Sequence, residues 1–72
     1  MSWWFIDLSK YDPQSLEEFV IHAQREFWAW AGKEAIEMQV NKEWLGEIDG
    51  TFIKGVSVIP GPIAYKYTVM VR

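Results

Sequence analysis

The chain carries tryptophan at positions 3, 4, 28, 30 and 44 within 72 residues, and it has no cysteine. A domain of this size buries only about 60% of the surface that its unfolded chain exposes. That leaves little interior for so many indoles, so part of the aromatic set is expected at a surface that something else covers. Small folds usually need a staple as well, drawn from disulfides, a structural metal or self-association. The absence of cysteine removes disulfides, thiolate zinc sites and iron–sulfur clusters. Self-association is the staple left.

The formal charge is −3, and the basic residues Lys10, Arg25, Lys33, Lys42, Lys54, Lys66 and Arg72 stand singly along the chain. Duplex nucleic acid is bound by clustered basic side chains, so it is not an expected partner. The run Ser2–Ile6 has no basic residue before it and no small-residue cleavage site after it, and it is not read as a signal peptide. No apolar run approaches the roughly 20 residues of a membrane span. The expectation is one cytoplasmic α+β domain over residues 1–72, with no membrane partner.

Trp3 to Leu8 is expected to be a strand that is apolar on both faces, with Trp4, Ile6 and Leu8 on one and Trp3 and Phe5 on the other. A strand with one wet face alternates apolar with polar, so the second face here is expected to meet a partner. Asp12-Pro13 predicts a helix over 13–31, with Asp12 as N-cap, Pro13 in the first turn, a Tyr11–Leu16 staple and Gly32 as the left-handed residue past the end. At about 100° per residue, Leu16, Phe19, Val20, Ala23, Phe27, Trp30 and Ala31 form one apolar stripe for the core. Ile21 and Trp28 lie together on its flank.

Beyond Gly32 the period becomes strand-like. Ala35 to Val40 alternates, with Ile36, Met38 and Val40 inward. Asn41-Lys42 reads as a turn, Glu43 to Ile48 as a short strand, and Asp49-Gly50 as a two-residue hairpin turn. Thr51 to Ile59 reads as one strand with a bulge at Gly55, followed by a turn at Pro60-Gly61-Pro62 and a last strand over Ile63–Arg72. The order is β-α-β-β-β-β, with a single helix packed on one face of a mostly antiparallel sheet. The opposite face, carrying Trp3, Phe5 and Met70, is left open.

Little in the chain suggests catalysis. Glu18, His22 and Glu26 share one helix face at i, i+4 spacing, which suits a divalent metal or an acid–base site but is also ordinary on a solvated helix. Asp7 reads as the end of a strand beside a Ser-Lys turn. Ser9, Ser15 and Ser57 lack a nucleophile setting, and the glycines suit turns and caps rather than a phosphate loop. No enzyme activity, metal or cofactor is expected.

The strand–helix–strand order and the closing segment Gly61-Pro62-Ile63-Ala64-Tyr65-Lys66-Tyr67-Thr68-Val69 resemble the dodecins, small flavin-binding proteins that assemble as dodecamers. The resemblance implies an aromatic ligand held between subunits. Trp44 to Lys54 is extra length against that pattern, and Ala35 to Val40 has no tryptophan where dodecins stack flavin. The first expectation is therefore a non-enzymatic interaction protein that self-associates through its sheet face and binds or inhibits a larger protein. Its candidate contact residues are Trp3, Phe5, Ile21, Trp28, Trp44 and Met70. The alternative is a flavin-like ligand site at a subunit interface.

Overall fold

In the computed structural model, which describes residues 2–72, one helix lies across a five-stranded sheet of order β1-β5-β2-β4-β3. The strands are β1 (Trp4–Asp7), β2 (Glu37–Val40), β3 (Thr51–Ile53), β4 (Val56–Pro60) and β5 (Thr68–Val71), and the helix α1 spans Leu16–Ala31. β1 and β2 flank β5 antiparallel to it, β3 pairs antiparallel with β4, and β2 pairs parallel with β4. The α+β order expected from the sequence is present, in a mixed sheet. No helix among the described residues is long and apolar enough to cross a membrane.

The helix starts later than Asp12-Pro13 suggests. Ser15 is the N-cap, its Oγ accepting the Glu18 N–H at 3.2 Å, and the Glu18 carboxylate accepts the Gln14 N–H at 2.7 Å. Ser15 and Glu18 thus stand in the Ser-x-x-Glu relation of a capping box, with the return bond taken by the preceding residue. Asp12 instead closes the 3-10 turn Ser9–Tyr11 in the left-handed region, which aspartate tolerates better than most residues. With Ser15 as cap, Tyr11 and Leu16 are not in staple register. Gly32 does end the helix with φ 69°, its N–H bonded to Trp28 O at 2.9 Å. The Gln24 amide then ties the following segment back, accepting from Ala35 N at 2.6 Å and donating to Ala35 O at 3.3 Å.

Two strand assignments change. Glu43 to Ile48 is not a strand: Asn41 caps a 3-10 turn over Lys42–Trp44, its Oδ1 accepting the Glu43 N–H at 2.8 Å. Such a side-chain bond offers the backbone an alternative to a sheet ladder. The hairpin is not at Asp49-Gly50 but at Lys54-Gly55, where φ is 51° and 80° and Ile53 pairs with Val56. Both central residues have positive φ, as a primed two-residue turn requires, so Thr51–Ile59 is two strands rather than one with a bulge. Gly50 serves a different need. A Cβ there would stand 3.2 Å from the Ile59 side chain and from Val58 O.

The last strand is shorter than Ile63–Arg72. The Ile63 carbonyl accepts from Asn41 Nδ2 and the Lys66 carbonyl from Trp44 Nε1. Those acceptors are engaged by side chains, and residues 61–67 form a loop folded onto the Lys42–Trp44 turn.

Between helix and sheet lies the core. Phe19, Val20, Ala23 and Phe27 meet Met38, Val40, Val56, Val58, Val69 and Val71, all essentially without solvent contact, and Leu8 joins them. Trp30 does not: it is 70% exposed, and Ile36 is exposed as well. The position of Trp30 around the helix points it at the sheet, but burial also requires something opposite. Opposite the last turn stands edge strand β1, whose Trp4 ring meets Trp30 edge-on at 5.5 Å and is itself 41% exposed. Ile36 and Glu37 both donate to Arg72 O, at 2.8 and 3.0 Å, so the chain bulges there and Ile36 leaves the inward alternation.

Candidate interaction surface

Strand alternation fixes the face away from the helix. Register places Phe5 beside Met70, Met70 beside Gln39, and Gln39 beside Ile59. A second row runs from Arg72 through Glu37 and Ser57 to Phe52, because Glu37 exchanges backbone hydrogen bonds with Arg72 and pairs with Ser57, which pairs with Phe52. Trp3 extends this row at the β1 end. Phe5 is 70% and Phe52 76% exposed, while Met70 and Ile59 are half-buried. The face has an apolar end at Trp3, Phe5 and Met70, a polar centre at Glu37, Gln39 and Ser57, and a second apolar end at Ile59 and Phe52.

One cation is fixed within it. The Arg72 guanidinium lies 4.3 Å from the centre of the Trp3 ring and bonds Glu37 Oε1 through Nε at 2.7 Å and Nη2 at 2.6 Å. Stacking on an indole and a charge-assisted contact are both geometries that a planar guanidinium favours. Trp3 is half-covered by this arrangement.

The six expected contact residues do not form one surface. Trp3, Phe5 and Met70 share the open face. Ile21 and Trp28 belong to the helix layer on the other side of the sheet, where Trp28 is 55% exposed beside Gln24, Arg25 and Glu34. Trp44 is used internally: its ring stands 4.8 Å from Phe19, its Nε1 donates to Lys66 O, and Tyr67 meets it edge-on at 6.0 Å. Lys66 Nζ covers that ring at 4.9 Å.

Phe52 and Ile59 are the open-face residues that sequence reasoning missed. Treating Thr51–Ile59 as one strand left their face undecided. The signal was present in Lys54-Gly55, a two-residue turn flanked by alternating apolar residues.

The groups that suit catalysis each have a structural partner. Glu18 takes part in capping. His22 stacks on Tyr11 with ring centres 4.2 Å apart and planes 9° from parallel. Glu26 accepts the Tyr11 hydroxyl and lies 3.3 Å from Lys10 Nζ. That hydroxyl, with Lys10 beside it, holds the Glu26 carboxyl below the usual carboxylate range against a desolvation effect, and the same contact raises Tyr11. Asp7 accepts the Ser9 N–H at 2.9 Å, the main cause that lowers its pKa, and so ends its strand in a local turn. Among the described residues no group of three or more His, Asp or Glu side chains is arranged to hold a metal ion.

Several concavities bear on ligand binding, and one of about 420 Å³ is lined by Tyr65 and Tyr67 together with Asp7, Ser9, Lys66 and Thr68. A notch of about 190 Å³ runs along β1 between Trp4 and Trp30, below the roughly 300–1,000 Å³ of most small-molecule sites. A wider depression of about 520 Å³ between the Lys42–Trp44 turn and residues 61–64 has no aromatic lining. The segment that carries the dodecin resemblance is mostly loop, with only Thr68 and Val69 in β5. Compared with family models, curated proteins and solved structures, the chain matches none of them.

Proposed function

We propose that this chain is a non-enzymatic interaction module that self-associates through the open face of its sheet. The observation that carries the reading is the pair Phe5 and Phe52, 70% and 76% exposed at opposite ends of one face. An antiparallel sheet with a wet face normally presents polar side chains there. Here polar residues hold the centre, and at the β1 end Arg72 and Asp7 flank the apolar group of Trp3, Phe5 and Met70. A second copy is the favoured occupant, because a two-fold interface lays the same patch on itself and sets the apolar end of one copy against the apolar end of the other. The same face lodged in a larger protein's site would make the module an inhibitor. The structural engagement of Glu18, His22, Glu26 and Asp7 supports the non-enzymatic part of the proposal. A cytoplasmic setting belongs to it too, since a chain without cysteine has no disulfide that needs an oxidising compartment.

Light scattering across a concentration series tests the proposal. The expected result is a dimer or larger species at micromolar concentration, and a mass of 8.5 kDa throughout would overturn it. A chromophore that co-purifies and is released on unfolding would replace it with the flavin-like ligand reading.

A further inference from the structure

We propose that β1 is a second, separate contact, pairing antiparallel with β1 of another copy so that the two sheets run on as one. The inference rests on the hydrogen-bond pattern of that strand and not on the open-face reading. Leu8 N–H donates to Tyr67 O at 2.8 Å, and antiparallel pairs alternate between bonded and non-bonded. The register then turns the N–H and C=O of Ile6 and Trp4 toward Val69 and Val71 of β5. Those of Trp3, Phe5 and Asp7 face outward, where β1 has no neighbour because it ends the sheet. An unpaired strand edge of this kind is a template for another strand unless it is blunted. The other edge strand, β3, offers less: it has three residues and turns directly into Lys54-Gly55.

Charge sets the register. On the open face β1 carries Trp3 with Arg72 stacked on it at one end and Asp7 at the other, with Phe5 between. Centring the pairing on Phe5 uses the outward groups of Trp3, Phe5 and Asp7 together. It sets Asp7 opposite the Arg72-covered Trp3 of the second copy, twice by symmetry. A pairing centred on Asp7 would oppose two carboxylates and is disfavoured. On the helix side the same register brings Ile6 of the second copy beside Trp4. That side chain meets the notch lined by Trp4, Ile6, Phe27 and Trp30, which accounts for the exposure of Trp4 and Trp30 at this edge.

Residue-resolved amide hydrogen exchange tests the pairing, run on the full chain at high and low concentration. The expected result is that the Phe5 and Asp7 amides gain at least tenfold protection as concentration rises, in the parent and in Phe52→Glu alike. Asp7→Lys, which sets like charges against Arg72, is expected to abolish that gain while leaving the Val69 and Val71 amides as slow as in the parent. Phe5 and Asp7 amides that exchange equally fast at both concentrations would overturn the inference, even if light scattering found a dimer, because face packing alone leaves that edge unpaired. Protection that disappears in Phe52→Glu would overturn it as well, by assigning the effect to the open face.

Discussion

The two faces of this sheet are built from the same short strands, yet they differ in what their side chains can be used for. On the helix side Met38, Val40, Val58, Val69 and Val71 are fully buried against Phe19 and Phe27. On the far side, one residue along each strand, stand Phe5, Met70, Gln39, Ile59 and Phe52. The first set is uniformly apolar, four valines and a methionine, which suits close packing beneath a single helix. The second mixes large aromatics with polar residues, the composition of an interface more than of an interior. Side-chain size and chemistry separate the faces.

Removing one phenylalanine from each face is the strongest test of that difference. Phe27→Ala is expected to cost about 3–5 kcal/mol, as truncation of a buried aromatic does, which is enough to unfold a domain of this size in thermal or urea denaturation. Phe52→Ala is expected to leave the monomer within about 0.5 kcal/mol of the parent, as exposed substitutions do. Equal losses would place Phe52 in the core and erase the distinction.

Trp44 and Trp30 differ in the same way at smaller scale. Trp44→Ala removes a half-buried ring from Phe19 and the donor for Lys66 O, and an expected loss of about 2 kcal/mol lies below the fully buried range. Trp30→Ala loses little more than its edge-on contact with Trp4, a pair of the kind that contributes about 0.5–1.5 kcal/mol. Urea midpoints of the two variants check the order. A larger loss for Trp30 would mean that the end of α1 is part of the core after all.

The ranking of Trp44 above Trp30 is the reverse of what periodicity suggests, and the reason is physical. Phase around a helix says which way a side chain points, not whether a neighbour exists there. The phase rule served for Phe19, Val20, Ala23 and Phe27, which the sheet covers, and failed for Trp30 at the edge. Alternation likewise placed Phe5 and Met70 on the open face but not Phe52, because Lys54-Gly55 reads as a bulge until the strands on each side are known to pair. The cap at Ser15 was legible in its spacing to Glu18, yet Asp12-Pro13 is the louder local signal. Trp44 was beyond the sequence altogether: its partners Phe19 and Lys66 are distant in the chain, and only the fold brings them together.

Electrostatics contributes the smallest expected effect. Tyr11 holds Glu26 below the usual carboxylate range. A lowered folded-state pKa means that the contact stabilises the protein above the ordinary carboxylate value and is lost as pH falls through the folded value. Tyr11→Phe keeps the ring on His22 and removes the hydroxyl. It is expected to lower the melting temperature slightly at neutral pH and to flatten its decline toward pH 3 (roughly one unit below the ordinary carboxylate values). Identical melting profiles for parent and variant would show that this exposed cluster adds nothing to stability, as many surface contacts do not.

In the proposed assembly the open face is covered by another molecule of the same chain. Side-chain footprinting of Phe5, Met70, Ile59 and Phe52, carried out above and below the association concentration, tests it most directly. All four are expected to lose reactivity together as the protein associates, while Trp28 on the helix layer stays reactive. Association that shields Phe5 and Met70 but leaves Phe52 and Ile59 at full reactivity would contradict it, because contact would then be confined to the β1 edge and the sheet face would be open to water.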